Sequence, residues 1–103
     1  MINDIQTSKV IFNQNGVTGW QILQKEGAEF VLLEFEKGAK TEAHIQDIPM
    51  VFFVVKGIAK AILEKKEYQI KQGQLIEIAS GMQRQWINTG NEKLELFVTK
   101  LIG

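Results

Sequence analysis

The sequence predicts a single all-β domain over residues 1–103, a sandwich or barrel of about nine or ten short strands with little or no helix. Three observations lead to this prediction. Short segments rich in β-branched and aromatic residues recur along the chain, glycine lies at most of the turns between them, and no long stretch has a helical period. A chain of 103 residues that is 45% apolar and 23% charged also has the length and composition of one globular domain.

The first half of the chain contains four predicted strands. They lie at residues 9–12, 20–23, 29–36 and 50–55. The first two flank the turn-rich sequence Asn13-Gln14-Asn15-Gly16, and the third ends at Lys37-Gly38. The fourth is a continuous apolar run, which is typical of a strand that is covered on both faces.

The second half contains five more predicted strands. They lie at residues 58–64, 67–70, 75–78, 83–88 and 94–101. Lys65 and Lys66 are predicted to form a two-residue hairpin turn between the first two. In the last strand Leu94, Leu96 and Val98 alternate with more polar positions, which predicts one buried face.

Composition excludes several classes of function. The chain has no cysteine and one histidine, so it cannot build a disulfide scaffold, a thiolate zinc site or a site that needs two imidazoles from one chain. Its formal net charge of zero offers no field for nucleic acid. The N-terminus does not resemble a secretory signal, and the longest apolar run, residues 50–55, is too short to span a bilayer. We therefore expect a cytoplasmic protein with no nucleic-acid or membrane partner.

One stretch has a regular spacing of glycine and polar residues. Gly38 is followed after five residues by His44, after one more by Gln46, after three by Met50 and after six by Gly57. The glycines suit turns that need a positive φ. Because His44 and Gln46 are two residues apart, on a strand their side chains would point to the same face.

A second stretch has its own regular spacing. Gly73 is followed after five residues by Ala79, after one more by Gly81, after two by Arg84 and after three by Asn88. These intervals, over residues 38–88, resemble the two motifs of the cupin superfamily with no insertion. The resemblance implies a double-stranded β-helix, the jelly-roll barrel of small RmlC-like cupins, and a homodimer.

The resemblance also implies a metal site that has lost most of its ligands. The family's three histidines and one glutamate correspond here to His44, Gln46, Met50 and Arg84. A thioether is a poor ligand for iron, manganese or zinc, and a guanidinium is cationic and donates only. We therefore expect no metal cofactor. The alternative is a divalent metal held by His44 and Gln46 with Glu42, which has the same strand parity.

Arg84 is the only arginine in the chain, and its motif position is expected to face inward. A guanidinium binds carboxylate or phosphate through two parallel hydrogen bonds. The sequence therefore indicates that Arg84, with His44 and Gln46, binds an anionic or polar small molecule in place of the metal. An internal ion pair with Glu42 or Glu77 is the competing interpretation, because a buried charge needs some partner.

The sequence assigns a pocket without assigning a reaction. We expect Phe52 to be plain core, and His44 has no nucleophile at close spacing to assist as a base. The predicted pocket consists of His44, Gln46, Met50, Arg84, Trp86 and Glu42. Two rival hypotheses are a metal-dependent dioxygenase or isomerase built around His44, and a structural dimer whose pocket its own side chains fill. The apolar residues available for dimer contact are Val10, Ile11, Phe12, Trp20, Ile22 and Leu23.

Overall fold

The computed structural model describes residues 1–102 and confirms the all-β prediction. Nine strands form two antiparallel sheets, and the helical structure of the described residues is one 3-10 turn at Ile5–Thr7. Within residues 1–102 no helix is long and apolar enough to cross a membrane. The strands are β1 Lys9–Gln14, β2 Val17–Lys25, β3 Ala28–Phe35, β4 Met50–Lys56, β5 Ile58–Leu63, β6 Lys66–Lys71, β7 Leu75–Ile78, β8 Arg84–Asn88 and β9 Leu94–Leu101.

The two sheets pack face to face as a jelly roll. One has six strands in the order β1-β2-β3-β9-β4-β7, and the other has three in the order β6-β5-β8. From β4 onward the chain crosses repeatedly between the sheets, so that neighbours in a sheet are distant in sequence. The core lies between the inner faces, where β-branched and aromatic side chains suit a pleated surface. Its largest fully buried apolar members are Trp86, Phe35, Phe52, Leu94, Leu96, Val17, Val31, Val54 and Val98.

Strand β4 differs from its prediction. Its apolar run predicts cover on both faces, but only Met50, Phe52 and Val54 are buried. Phe53 and Val55 are 38% and 41% exposed on the outer face of the six-stranded sheet. The prediction that β4 is covered on both faces is therefore wrong for the single chain. A continuous apolar run shows that the residues are hydrophobic, but it does not show whether anything covers the outer face of the sheet.

The hairpin between β5 and β6 is displaced by one residue from its prediction. Leu63 pairs with Lys66, so the two-residue turn consists of Glu64 and Lys65 and not of Lys65 and Lys66. Both turn residues have positive φ, 48° and 72°, as the twist of a tight hairpin requires. The Glu64 carboxylate also accepts from the N–H of Gln83 (3.0 Å), which ties this turn to the residue before β8.

The motif glycines lie at sharp turns. Gly57 has φ 98° between β4 and β5, and a Cβ there would lie 3.0 Å from the carbonyl oxygen of Lys93 and 3.1 Å from Cα of Leu94. Both the backbone conformation and the close approach therefore require glycine at position 57. Gly81 has φ 81° and its N–H donates to the carbonyl of Gln46 (2.7 Å). The second motif thus touches the first through the backbone.

Candidate functional site

A cavity of about 400 Å³ opens between the two sheets, a volume within the usual range of small-molecule sites. One wall is the inner face of the six-stranded sheet, and the other is β8 with the segment 40–46. The structure brings all the predicted pocket residues to this one cavity: His44, Gln46, Met50, Arg84, Trp86 and Glu42. This cavity is not filled by the protein's own side chains, as the hypothesis of a structural dimer with a filled pocket requires.

The segment 40–46 is positioned by backbone bonds to β8. The N–H of His44 donates to the carbonyl of Arg84 (2.8 Å), and the N–H of Arg84 donates back (2.9 Å). The N–H of Thr41 donates to the carbonyl of Trp86 (2.9 Å), while the Thr41 hydroxyl accepts from the N–H of Trp86 (3.0 Å). The segment is not a regular strand, since only isolated bridges form at Lys40 and His44. Pairing at these points still turns the segment toward the cavity.

Arg84 lies in the cavity wall and is 9% exposed. The described chain forms its ion pairs at Lys60, Lys93 and Lys100, so Arg84 has no carboxylate partner among residues 1–102. The expected alternative, an internal pair with Glu42 or Glu77, is therefore absent there. Burial lowers the pKa of the Arg84 guanidinium below its ordinary value, because desolvation disfavours the charged form.

Aromatic rings lie next to the guanidinium. Cζ of Arg84 lies 5.7 Å from the ring centroid of Phe52, and Phe52 packs on Trp86 with ring centroids 4.8 Å apart. The ring faces attract the cation electrostatically but do not satisfy its N–H donors. Phe52 is 2% exposed, as expected for core, and it also lines the cavity. It therefore serves both as core and as cavity wall.

Two further polar atoms in this wall are buried and without a hydrogen-bond partner in the described chain. They are Oε1 of Gln46 and Nε1 of Trp86. An unmade hydrogen bond at a buried atom costs about 1–3 kcal/mol, so such atoms are rare and need an explanation. Together with the Arg84 guanidinium, they are polar groups of cavity-lining residues for which residues 1–102 supply no partner.

His44 and Glu42 lie at the exposed side of the cavity. Neither side chain takes part in a hydrogen bond or ion pair with residues 1–102. His44 therefore has neither an orienting acceptor nor a neighbouring nucleophile of the kind a general base needs. His44 therefore lies where it can contact a bound molecule, but no neighbouring side chain of the described residues is placed to exchange a proton with it.

The donor set does not fit the metal that the cupin fold commonly carries. Structural and catalytic metal sites use three or more anionic or neutral ligands of suitable type. Residues 1–102 contain no group of three His, Cys, Asp or Glu side chains that could hold an ion. Arg84 shares two backbone bonds with His44, so a cation beside that imidazole would meet a guanidinium. A site on His44, Gln46 and Glu42 would face the same repulsion.

Asn88 ends the second motif but does not line the cavity. Its Nδ2 donates to the carbonyls of Phe35, Glu36 and Glu92 at 2.9–3.2 Å, and its Oδ1 accepts from the N–H of Gly90 (3.0 Å). Asn88, Arg84 and Trp86 are all buried on one face of β8, as their spacing predicts. The role of Asn88 is to fix the loops beyond β3 and β8.

Sequence reasoning missed part of the cavity. Strand β1 contributes Ile11 and Phe12 to the wall although every residue of β1 is exposed, so no periodicity marks them. A bulge at Ile11 interrupts the pairing of β1 with β2 and disturbs the alternation further. Lys100 also lines the cavity, and here a signal existed, because it continues the buried alternation of Leu94, Leu96 and Val98.

A jelly-roll barrel with a ligand-sized cavity between its sheets defines the class of this protein. Residues 31–100, more than half of the chain, match the family model described as Cupin domain. The chain therefore belongs to the cupin family, as the spacing over residues 38–88 indicates. No curated protein matches it.

Solved structures confirm the fold. A predicted oxalate decarboxylase from Thermotoga maritima is 22% identical, with a TM-score of 0.85 and 100% of each chain covered. An RmlC-like cupin from Shewanella frigidimarina is 14% identical, with a TM-score of 0.84 over 95% of this chain and 86% of that one. The polyketide cyclase RemF from Streptomyces resistomycificus is 14% identical, with a TM-score of 0.82 over 98% and 78%.

Proposed function

We propose that this cupin binds a small anionic molecule in its barrel through Arg84, without a metal. The observation that carries the proposal is the set of unpartnered groups in one cavity wall: the Arg84 guanidinium, Nε1 of Trp86 and Oε1 of Gln46. A ligand with an anionic group and a nearby hydroxyl or amino donor would satisfy all three.

The burial of Arg84 favours the binding of an anion. A buried guanidinium without a counter-ion loses hydration and gains only the ring of Phe52 in return. An anion that forms two parallel hydrogen bonds to Arg84 supplies the missing charge, and such charge-assisted bonds are about twice as strong as neutral ones. Binding of an anion therefore offsets the free-energy cost of burying Arg84 without a counter-ion.

The test measures thermal unfolding and calorimetric binding with three named anions: inorganic phosphate, benzoate and oxalate. Oxalate is included because one fold neighbour is named a predicted oxalate decarboxylase. Ligand that binds only the folded state at about one hundred times its Kd stabilises the protein by about 2.7 kcal/mol. We expect at least one anion to raise the melting temperature in a saturable manner.

The matched variants are Arg84→Gln and Lys60→Gln. Arg84→Gln removes the cavity cation, while Lys60→Gln removes an exposed cation that pairs with Glu67 on the same three-stranded sheet but does not line the cavity. We expect the first to abolish the ligand-induced stabilisation and the second to preserve it. Equal stabilisation in Arg84→Gln, or no binding of any anion by the wild type, overturns the proposal.

We also propose that the protein is a homodimer, because an apolar row crosses the outer face of the six-stranded sheet. Successive register pairs join its members from one edge to the other. Phe53 and Leu75 at one end are 38% and 55% exposed. The outer apolar row consists of Val10, Trp20, Leu32, Phe97, Phe53 and Leu75.

The size and charge of this face suit a second copy of the chain. Six strands span about 24 Å and strand β3 about 26 Å, which gives a face of roughly 600 Å² including the part near Leu32 and Phe97 where residues 3–6 lie. That value is comparable with the ~800 Å² per partner that a stable dimer buries. A flat sheet face can pack on its own copy at the usual sheet-to-sheet angle, and a net charge of zero does not keep the copies apart.

Light scattering on size-exclusion fractions tests the dimer. We expect a dimeric mass for the wild type and for Tyr68→Gln, which changes a residue 42% exposed on the three-stranded sheet. The double variant Phe53→Gln/Leu75→Gln is expected to be monomeric. A monomeric wild type, or a dimeric double variant, contradicts the proposal.

A further inference from the structure

The two walls of the cavity differ in chemistry. The unpartnered polar groups of Arg84, Gln46 and Trp86 all belong to the wall formed by β8 and the segment 40–46. The opposite wall, from the six-stranded sheet, is mostly apolar, with Gln14 and Lys100 as its polar members. Its apolar members are Ile11, Phe12, Val17, Val31, Leu33, Met50, Phe52 and Val98.

The apolar wall is continuous because its members meet across strands. Val31 of β3 pairs with Val98 of β9, and Val98 pairs with Phe52 of β4. These three side chains are 1–2% exposed and carry no polar atom. A ligand with hydroxyls on every side, or with a second charge at the far end, would lose hydration against this wall without gaining a hydrogen bond.

The charges around the cavity leave one cation for the ligand. Lys100 lines the cavity, but its Nζ lies 3.5 Å from Oε1 of Glu29, so its charge already has a partner. Nε2 of Gln21 donates to the other oxygen of Glu29 (2.7 Å) and holds that carboxylate in place. Lys40 is exposed at the opening, where water solvates it. Arg84 is therefore the buried cation that needs a counter-charge.

We infer that the ligand is an organic acid with a single carboxylate and an apolar body, the carboxylate on Arg84 and the body against β1, β3, β4 and β9. This inference rests on the proposed anion site and adds the class of molecule. A cavity of about 400 Å³ has room for roughly a dozen non-hydrogen atoms at about 30 Å³ each. The acid is therefore of medium size, comparable with a six- to ten-carbon chain or a substituted aromatic ring.

The experiment is a calorimetric titration with straight-chain monocarboxylates from acetate to octanoate, with the matching alcohols, and with succinate. Each methylene buried against the apolar wall is worth about 0.8 kcal/mol, so affinity rises about fourfold per methylene until the cavity is full. Succinate is expected to bind more weakly than butyrate, because its second carboxylate meets the apolar wall. The alcohols are expected to bind weakly at every length.

A pair of variants on β1 separates the cavity wall from the rest of the strand. Phe12 lines the cavity and is 38% exposed, whereas Val10 pairs with Trp20 in the outer apolar row and is 51% exposed. We expect Phe12→Ser to weaken octanoate binding at least about fivefold and to leave acetate binding unchanged. Val10→Ser is expected to change neither. Because both residues lie on an exposed edge strand, neither change removes core.

The outcomes are distinct for the two proposals. Affinity that depends on Arg84 but not on chain length, or that favours succinate, overturns the apolar body and leaves the anion site standing. Alcohols that bind as tightly as acids, with the same length dependence and without need of Arg84, overturn the anion site itself. Equal loss of octanoate binding in Val10→Ser and Phe12→Ser also overturns the assignment of the apolar wall.

Discussion

Replacement of Arg84 by methionine is expected to stabilise the ligand-free protein. Arg84 is 9% exposed, its guanidinium lies over the ring of Phe52, and it has no carboxylate partner among the described residues. Desolvation of a polar group without a compensating partner costs about 1–3 kcal/mol. The cation–ring attraction returns about 0.5–1 kcal/mol. Methionine retains most of the length of the side chain, adapts to irregular space and buries apolar surface without a charge.

The difference between these two ranges is about 0–2.5 kcal/mol, so we expect a gain of about 1 kcal/mol in the free energy of unfolding. For a domain of this size that corresponds to a rise of about 4–8 °C in the melting temperature. The assay is urea unfolding followed by tryptophan fluorescence, with Lys60→Met as the control. Lys60 is an exposed cation, so its variant should lie within about 0.5 kcal/mol of the wild type. A variant at Arg84 that is 1 kcal/mol less stable than the wild type would refute the reasoning, because the fold itself would then satisfy the guanidinium.

Three further predictions concern the turn between β5 and β6, the segment 40–46 and the side chain of Gln46. Lys65→Gly is expected to stabilise the protein by roughly 0.5–1 kcal/mol in urea unfolding, because position 65 has φ 72° in the hairpin, while Lys66→Gly on strand β6 should destabilise it by a similar amount. Thr41→Val is expected to lower the free energy of unfolding by about 1–2 kcal/mol in the same assay, because the N–H of Trp86 loses its acceptor. Thr41→Ser keeps the hydroxyl and should be nearly neutral. Equal losses of stability in the two variants would show that the methyl group of Thr41 matters instead. In calorimetric titration, the wild type is expected to bind 2-hydroxyhexanoate about fivefold tighter than hexanoate, because Oε1 of Gln46 lacks a hydrogen-bond partner and can accept from the added hydroxyl. Gln46→Leu is expected to bind the two acids with equal affinity. A preference for 2-hydroxyhexanoate that survives in Gln46→Leu contradicts this assignment.

The sequence predicts the strands and the frame of the site well because these depend on local and regular signals. The apolar alternation of β8 and the turn glycines report burial and positive φ directly, and both agree with the structure. The spacing of His44, Gln46 and Arg84 predicts the cavity wall even though the segment 40–46 is not a regular strand.

What the sequence does not predict depends on packing between distant elements. Strand β1 borders the cavity only because the chain brings it beside β2, and its exposed side chains carry no periodic mark. The absence of an ion pair at Arg84 among residues 1–102 depends on the positions of Glu42 and Glu77, which parity alone does not fix. The hairpin turn falls one residue early because backbone twist, and not residue preference, selects Glu64 and Lys65.

The attachment of the segment 40–46 to β8 has a consequence for how such a barrel can change its ligand. At His44 and Arg84 the anchoring donors and acceptors are backbone groups, which every residue except proline possesses in full. The side chains of His44 and Arg84 are therefore not the groups that hold these two positions together. An imidazole, an amide or a guanidinium can be exchanged there while the same atoms keep the wall aligned. Positional accuracy and chemical identity are thus encoded separately, so the side chains at these positions can change while the frame keeps its geometry.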